Sequence, residues 1–294
     1  MPRVEPTGAI LGASIWDLDL SQPMSDKDFG FVLHALGQHG VLRFPNQKLE
    51  VPDVHRFSVR FGEIQGPSIV DPEKVTDPYT YVGTLSNIKK DGVYIGAADA
   101  GQDWHTDMSY SAINALSTIL HAQKIPLRDG VPVGNTEFRN MRAAYLGLPD
   151  DIKAKIEGRT ATHDFNKFWE MMRAKPGNTR PPLTEAQRTR KPPVSHPIAY
   201  PHPITGERVL YCTIGYVTHI DGMDSAESAE LLDFLWKHQD RPEYFHAHSW
   251  TEGDVLMWDD IGTTHNAVPD YGDIPRYMRR VQVLNNFDYA KLAA

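Results

Sequence analysis

Residues 253–267 read GDVLMWDDIGTTHNA and combine an apolar strand, a turn and a histidine. The run from Val255 to Trp258 is typical of a buried β-strand, and Gly262 lies in the turn that follows it. His265 then stands at the start of the next extended segment. Similar short β-type runs recur in the chain, at residues 80–85, 117–123, 209–214, 245–250 and 279–284. The pattern predicts a mainly β fold.

Helical periodicity is found in a few segments that would flank these strands. Residues 25–40 place apolar side chains at helical spacing behind a possible N-cap serine, and residues 41–44 then predict a strand. A second short helix is expected to end at Gly62, and a third is expected after the capping box of residues 224–227. Because strands and helices do not alternate with crossover length, a Rossmann-type fold is not expected.

The composition limits the class of protein. The chain has 294 residues, of which 40% are hydrophobic, and its formal net charge is −8 without a long basic block, so nucleic acid is not an expected partner. Cys212 is the single cysteine, which excludes an internal disulfide and a thiolate zinc site. There is neither a signal-like N-terminus nor a long apolar run. We expect a cytoplasmic protein that does not contact membranes and folds as one domain over residues 1–294.

Residues 173–197 differ from the rest of the chain. They contain six prolines and six Lys or Arg residues against one acidic residue, Glu185, and show little apolar periodicity. Such a composition offers little apolar surface for a core of its own. We expect a surface loop or insertion here, or a lid that closes over a site.

The strongest chemical signal lies in residues 103–107, which read DWHTD. On an extended segment the side chains of His105 and Asp107 would project to one face, where a metal ion could take one nitrogen and one oxygen. An H-x-D pair alone is more often a polar strand end. The pair gains specificity from His265, which lies 158 residues beyond Asp107, and from Arg276, eleven residues further on.

With these motifs the chain resembles the Fe(II)/2-oxoglutarate-dependent dioxygenases of the taurine dioxygenase and 2,4-dichlorophenoxyacetate dioxygenase family. The resemblance covers nearly the whole chain and implies a double-stranded β-helix, or jelly-roll, core. The motifs that carry it are residues 40–47, 60–63, 104–107, 134–136 and 258–259, with the arginine pair Arg276 and Arg280. Two positions depart from the family pattern: Asn135 stands where relatives often have Asp, and Arg279 stands where His is found in relatives.

The resemblance implies an iron site made by His105, Asp107 and His265. Two histidines and one carboxylate leave three adjacent positions open on Fe(II), two for 2-oxoglutarate and one for O2. The far carboxylate of 2-oxoglutarate favours a planar, permanently charged guanidinium, which Arg276 would supply, with the Thr136 hydroxyl as its partner by resemblance. A carboxylate at position 107 favours hydroxylation, because related halogenases have a small residue there.

Arg280 is expected to bind the acid group of the primary substrate. Residues 276, 278 and 280 share one face of a strand, so Arg280 would point into the cavity of Arg276 and Arg279 would point away. The resemblance implies hydroxylation of an unactivated C–H bond in a small anionic organic molecule, such as an aryloxyalkanoate or a sulfonate, with release of succinate and CO2. It also implies a homo-oligomer.

Two other functions remain open from the residues alone. A zinc-dependent hydrolase could use the same three ligands and a metal-bound water, but it leaves Arg276 and Thr136 unexplained. A non-catalytic jelly-roll binding protein would not need an intact metal triad. The pair His246 and His248 is a weaker metal hypothesis, since core or surface histidines with this spacing are common.

Overall fold

A computed structural model of the chain describes residues 1–66, 75–175, 178 and 180–289. Within these ranges the fold is mainly β with flanking helices, as predicted. The helices are α1 (Asp26–His39), α2 (Val51–Ser58), α3 (Met141–Leu146), α4 (Asp150–Ile156), α5 (Phe165–Arg173), α6 (Glu185–Arg190) and α7 (Ser225–Gln239), with 3-10 turns at Pro78–Tyr81 and Pro242–Tyr244. The strands are β1 (Arg3–Pro6), β2 (Ala13–Trp16), β3 (Val41–Phe44), β4 (Gly83–Ser86), β5 (Lys89–Lys90), β6 (Val93–Tyr94), β7 (Ala115–Lys124), β8 (Leu127–Arg128), β9 (Val131–Pro132), β10 (Thr136–Asn140), β11 (Thr160–His163), β12 (Val194–Pro197), β13 (Ala199–Pro201), β14 (Arg208–Leu210), β15 (Val217–Ile220), β16 (Phe245–His248), β17 (Val255–Asp259), β18 (Thr263–Ala267) and β19 (Tyr277–Leu284).

A seven-stranded sheet forms the centre of the molecule, in the order β1-β2-β3-β17-β7-β19-β4. Its strands pair antiparallel except β2 with β3. Successive residues of β7 face opposite sides: Ile119 packs with Phe29 of α1 and Phe57 of α2, whereas Leu120 packs with Phe138 of β10. Because β10 belongs to a smaller sheet, β16-β10-β18, both faces of the central strands are buried.

Helix α1 begins and ends where the sequence predicts. The Ser25 side chain accepts a hydrogen bond from the backbone N–H of Asp28 at 3.1 Å and caps the first turn. Gly40 ends the helix with φ 67°, and its N–H donates to the carbonyl of Leu36 at 2.8 Å. A side chain at position 40 would lie 2.7 Å from Leu11, so glycine is required for both conformation and space.

Several predicted elements have different limits in the structure: the strand predicted at residues 209–214 ends at Leu210, the one predicted at 245–250 ends at His248, and two more differ for a visible reason. The predicted second helix, α2, ends at Ser58 and not at Gly62, because the chain then turns Phe61 into the core against Phe29, with ring centroids 5.1 Å apart. The strand predicted from residue 80 begins only at Gly83, because a 3-10 turn capped by the side chain of Asp77 precedes it. Core packing of Phe61 at the first place and the Asp77 cap at the second thus override the apolar pattern.

The proline-rich segment of residues 173–197 is not a continuous loop in the part that the structure describes. Residues 176, 177 and 179 lie outside the described residues. The rest includes α6, which starts with a reciprocal capping box between Thr184 and Gln187, and β12, which pairs antiparallel with β11. Its role as an insertion or lid stays a prediction.

Among the described residues, every helix is too short or too polar to cross a membrane.

Candidate metal centre

Three of the predicted side chains converge at one buried point. His105, Asp107 and His265 each offer one ligand atom, and these atoms lie within 4.8 Å of one another. The His105 Nε2 to Asp107 Oδ1 distance is 3.6 Å, and the two imidazole centroids are 4.3 Å apart. Within the described part of the chain, this is the one group of three or more His, Cys, Asp or Glu residues with that convergence.

A backbone bridge sets the positions of the two histidines. The His265 N–H donates to the His105 carbonyl at 2.7 Å, and the His105 N–H donates back to the His265 carbonyl at 3.0 Å. This bridge joins the loop around residue 105 to strand β18. The Nδ1 atom of His105 lies 2.7 Å from the Asp103 carbonyl, so Nδ1 carries the proton and Nε2 is free to bind a metal.

Asp107 reaches the site by a turn and not by the extended segment that the sequence predicts. His105 forms an isolated bridge, whereas Asp107 lies in a turn, and Met108 has a left-handed φ of 56°. The Thr106 hydroxyl donates to the Asp260 carbonyl and ties this turn to the end of β17. The two ligands still meet, but their convergence depends on the turn.

The charge states of the triad suit a divalent cation. Burial disfavours ionisation of Asp107, but the electrostatic influence of His265, His105 and Arg280 holds its pKa well below the usual range. Burial, with His105 nearby, lowers the pKa of His265 to about 3. The buried Nδ1 of His265 has no hydrogen-bond partner among the described residues. One anionic oxygen and neutral imidazole nitrogen are therefore ready to bind a metal at neutral pH.

A buried polar chain that sequence reasoning missed supports Asp107. The Thr118 hydroxyl lies 2.7 Å from Asp107 Oδ2 and 2.7 Å from Asp260 Oδ2. The indole N–H of Trp258 donates to the other oxygen of Asp260 at 2.9 Å. Burial and the negative charge of Asp107 raise the pKa of Asp260. The signal available in the sequence was the second aspartate after Trp258, but nothing local ties it to Thr118.

Arg276 and Thr136 line the same cavity as the triad. The backbone N–H of Arg276 donates to Asn87 at 2.8 Å, and its buried guanidinium has no carboxylate within 4.0 Å among the described residues. Thr136 lies in β10, where its hydroxyl accepts a hydrogen bond from Trp250 at 3.1 Å. A buried cation without an acid partner is costly, so a ligand carboxylate would stabilise it. The donor set fits 2-oxoglutarate.

Arg279 and Arg280 take the opposite faces that the strand period predicts. Arg280 lines the cavity of the triad, and no ion-pair partner lies within 4.0 Å of it in the described ranges. Arg279 instead donates to the Leu49 carbonyl at 2.7 Å and lies 3.7 Å from Glu50. The register of β19 therefore supports a ligand-binding role for Arg280 and a structural role for Arg279.

A larger cavity of about 440 Å³ adjoins the first and shares His105, Asp107 and Arg280 with it. An aromatic wall, defined here by Tyr110, Phe165, Phe168 and Tyr216, lies along one side. The Phe168 ring lies 5.1 Å from the ring of His105, so the wall begins at a metal ligand. The sequence did not reveal this wall, because its members lie in three separate segments.

The second candidate metal pair, His246 and His248, has no third ligand nearby among the described residues. His248 Nε2 lies 3.8 Å from Asp254, whereas His246 packs against Phe138 at 6.4 Å between ring centroids. Among the described residues the two histidines belong to no converging group of three ligands. Cys212 is buried, and burial raises the pKa of its thiol to about 12, so the thiol stays protonated.

Comparison with known proteins finds dioxygenases that are similar to this chain along most of its length. The family model described as "Taurine catabolism dioxygenase TauD, TfdA family" matches residues 3–282. The chain is 29% identical over 291 residues to an alpha-ketoglutarate-dependent 2,4-dichlorophenoxyacetate dioxygenase of Cupriavidus pinatubonensis, covering 96% of this chain and 97% of that one. It is 31% identical over 295 residues to an (S)-phenoxypropionate/alpha-ketoglutarate-dioxygenase of Delftia acidovorans, and this match covers 94% of this chain and 92% of that one.

A solved structure agrees with the sequence matches. The crystal structure of AAD-2 in complex with Mn(II) and N-oxalylglycine has a TM-score of 0.79 and 26% sequence identity to this chain. The match covers 98% of both chains.

Proposed function

The chain belongs to the TauD, TfdA family of dioxygenases and is a 2-oxoglutarate-dependent non-haem iron enzyme, and we propose that it hydroxylates an unactivated C–H bond of a small anionic organic substrate. Its cofactors are Fe(II), 2-oxoglutarate as co-substrate and O2. One observation carries the proposal: the buried triad shares its cavity with two arginines that have no carboxylate partner within 4.0 Å in the described ranges. The comparisons support this function and not a zinc-dependent hydrolase or a binding protein.

The proposed architecture is a double-stranded β-helix. Its two walls would be the seven-stranded sheet and the smaller β16-β10-β18 sheet, which share the apolar layer of Leu120, Phe138 and Trp258. The metal ligands then lie at one end of this layer, where Trp258 packs 4.8 Å from the ring of His265.

Each side chain of the cavity has a proposed task. His105, Asp107 and His265 would hold Fe(II), which when bound couples decarboxylation of 2-oxoglutarate, giving succinate and CO2, to oxidation of a substrate C–H bond. Arg276, with the Thr136 hydroxyl, would bind the distal carboxylate of the co-substrate. The aromatic wall would exclude water and orient the apolar body of the substrate.

The proposed substrate class is an aryloxyalkanoate or a similar acid. The relatives named above act on phenoxyacetate-type and phenoxypropionate acids, which combine one carboxylate with an aromatic ring. The cavity offers a matching pair of features, the guanidinium of Arg280 near the triad and the aromatic wall beyond it. A screen that measures succinate released from 2-oxoglutarate across aryloxy acids, sulfonates and sulfate esters tests this class, and stimulation by none of them would contradict it.

Arg280→Gln should lower the coupled hydroxylation of an anionic substrate about tenfold or more, because it removes a charge-assisted hydrogen bond in a partly desolvated cavity. The measurement is hydroxylated product formed per succinate at varied substrate concentration. Arg279→Gln is the matched control and should change this ratio little, because Arg279 contacts Leu49 and Glu50 outside the cavity. A larger effect at Arg279 than at Arg280 would show that the assignment of faces is wrong.

We further propose that residues 173–197 close over the site. Two ion pairs from this region connect it to the loop that leads to His105: Arg180 lies 2.6 Å from Asp99, and Lys175 lies 2.8 Å from Asp103. Limited proteolysis should cut this segment first, and more slowly when Fe(II), 2-oxoglutarate and substrate are bound without O2. Equal cutting rates in the free and loaded enzyme would refute closure.

Two further proposals concern the protein in the cell, the first from its composition and the second from its family. We propose a cytoplasmic enzyme, since a lone buried cysteine suits a reducing compartment, and a homo-oligomer. Light scattering after gel filtration measures the assembly, and a mass of 33.1 kDa would contradict it.

A further inference from the structure

Lys191 is a cation of the cavity that the proposed function leaves unused. It follows directly after α6 in the proline-rich segment and lines the 440 Å³ cavity together with Arg280, His105 and Asp107. Its ammonium lies 4.0 Å from the ring centroid of Phe165 and 5.0 Å from that of Tyr110. Among the described residues no carboxylate lies within 4.0 Å of it.

The acidic residues around the cavity do not compensate this charge. Of the described residues that line it, the acids are Asp99 and Asp107. Asp99 accepts two hydrogen bonds from Arg180, at 2.6 Å and 3.1 Å, and Asp107 belongs to the metal triad. Lys191 and Arg280 therefore both face the cavity without an acid partner. Burial lowers the pKa of Lys191 to about 8, which still leaves the amine mainly protonated at neutral pH.

The aromatic wall separates Lys191 from the metal end of the cavity. Phe168 contacts His105, and the ring contacts then pass from Phe168 to Tyr216 at 5.1 Å and from Tyr216 to Tyr110 at 5.0 Å. Tyr110 lies beneath Lys191. Arg280 lies at the metal end, where it lines the cavity together with His105, Asp107 and His265. Both free cations thus line a cavity that has this aromatic wall along one side.

We infer that Lys191 is a second anion-binding residue, so the preferred substrate is a dianion whose apolar body lies along the aromatic wall between Arg280 and Lys191. The inference deepens the proposed function and rests on it. A cation held against two rings and facing a cavity gains most from a ligand anion, because cation–π contacts alone replace only part of its hydration. The anionic group at Lys191 would lie far from the oxidised carbon and would select the substrate without taking part in the reaction.

The test compares two probes that differ by one carboxylate, phenoxyacetate and 4-carboxyphenoxyacetate. Calorimetry under anaerobic conditions measures the binding of each to enzyme loaded with Fe(II) and 2-oxoglutarate. The wild type should bind the dicarboxylate about tenfold more tightly or better, in line with one added charge-assisted contact. Lys191→Met should abolish this preference and leave the binding of phenoxyacetate nearly unchanged.

Lys89→Met is the matched control. Lys89 also lies over a tyrosine ring, 4.6 Å from the centroid of Tyr94, but it is exposed and does not line the 440 Å³ cavity. This variant should keep the preference. If Lys191→Met folds poorly, Lys191→Gln removes the charge while keeping a polar side chain.

Three results would overturn the inference. The first is equal binding of both probes to the wild type, and the second is a preference for the dicarboxylate that survives removal of the Lys191 charge. The third is an equal loss of binding affinity for both probes in the variant, which would mean that Lys191 and Arg280 bind the same anionic group. In each case phenoxyacetate still binds the wild type, so the proposed function stands. If neither acid binds while 2-oxoglutarate does, the aryloxy substrate class fails as well.

Discussion

Asp107→Ala should abolish tight Fe(II) binding and lower turnover by more than about 100-fold. Loss of a residue that only supports a metal ligand typically costs about 10- to 100-fold in metal affinity or activity, and loss of the ligand itself should cost more. The carboxylate is the one anionic group of the triad and lies 3.6 Å from His105 Nε2. Without it, two neutral imidazoles face a dication in a buried cavity. Metal content after reconstitution with Fe(II) and ascorbate, together with succinate formation, measures both effects.

Asp233→Ala serves as the control for this loss. Asp233 is an exposed residue of α7 that pairs with Lys237 at 2.6 Å, so its removal should leave iron content and turnover unchanged. An Asp107→Ala enzyme that keeps iron and activity would show that another group is the third ligand.

Arg276→Ala should lower the affinity for 2-oxoglutarate by roughly 10- to 150-fold, the equivalent of about 1.5–3 kcal/mol for a charged hydrogen-bonded pair. The guanidinium is buried and shares a cavity with the metal triad. Arg276→Lys should recover only part of the affinity, because an ammonium cannot bind a carboxylate in the planar bidentate manner. Titration of 2-oxoglutarate into the anaerobic Fe(II) enzyme measures the change.

Arg279→Ala is the matched control for the co-substrate, since it removes a nearby arginine that bonds to Leu49 outside the cavity. It should leave the 2-oxoglutarate affinity unchanged. If Arg276→Ala also leaves it unchanged, the distal carboxylate binds elsewhere. Iron content should remain normal in both variants, which separates this effect from loss of the metal.

The sequence predicts well those features that depend on local hydrogen bonds and on short-range periodicity. Ser25 and Gly40 mark the ends of α1 because a side-chain cap and a left-handed glycine are local devices. The opposite faces of Arg279 and Arg280 follow from the period of a strand. The metal residues could be named from the H-x-D motif together with the family resemblance, and the structure brings His105, Asp107 and His265 together.

Features that depend on distant contacts could not be predicted in this way. The turn that directs Asp107 inward is fixed by Thr106 bonding to Asp260, which is 154 residues away in sequence. Lys191 reaches the cavity because the proline-rich segment folds across α5, and its composition alone suggested a surface loop, an insertion or a lid without singling out this residue. In both cases the tertiary fold brings the contacting residues together, and no local sequence pattern indicates the contact.

The central claim is that the buried triad and Arg276 together bind Fe(II) and 2-oxoglutarate. The most direct measurement is the visible absorption spectrum of the anaerobic enzyme as 2-oxoglutarate is added after Fe(II). A weak, broad charge-transfer band should grow and saturate with the co-substrate in the wild type, fail to form in Asp107→Ala, and require much more co-substrate in Arg276→Ala. A wild-type enzyme that binds both Fe(II) and 2-oxoglutarate yet shows no such band would contradict the account.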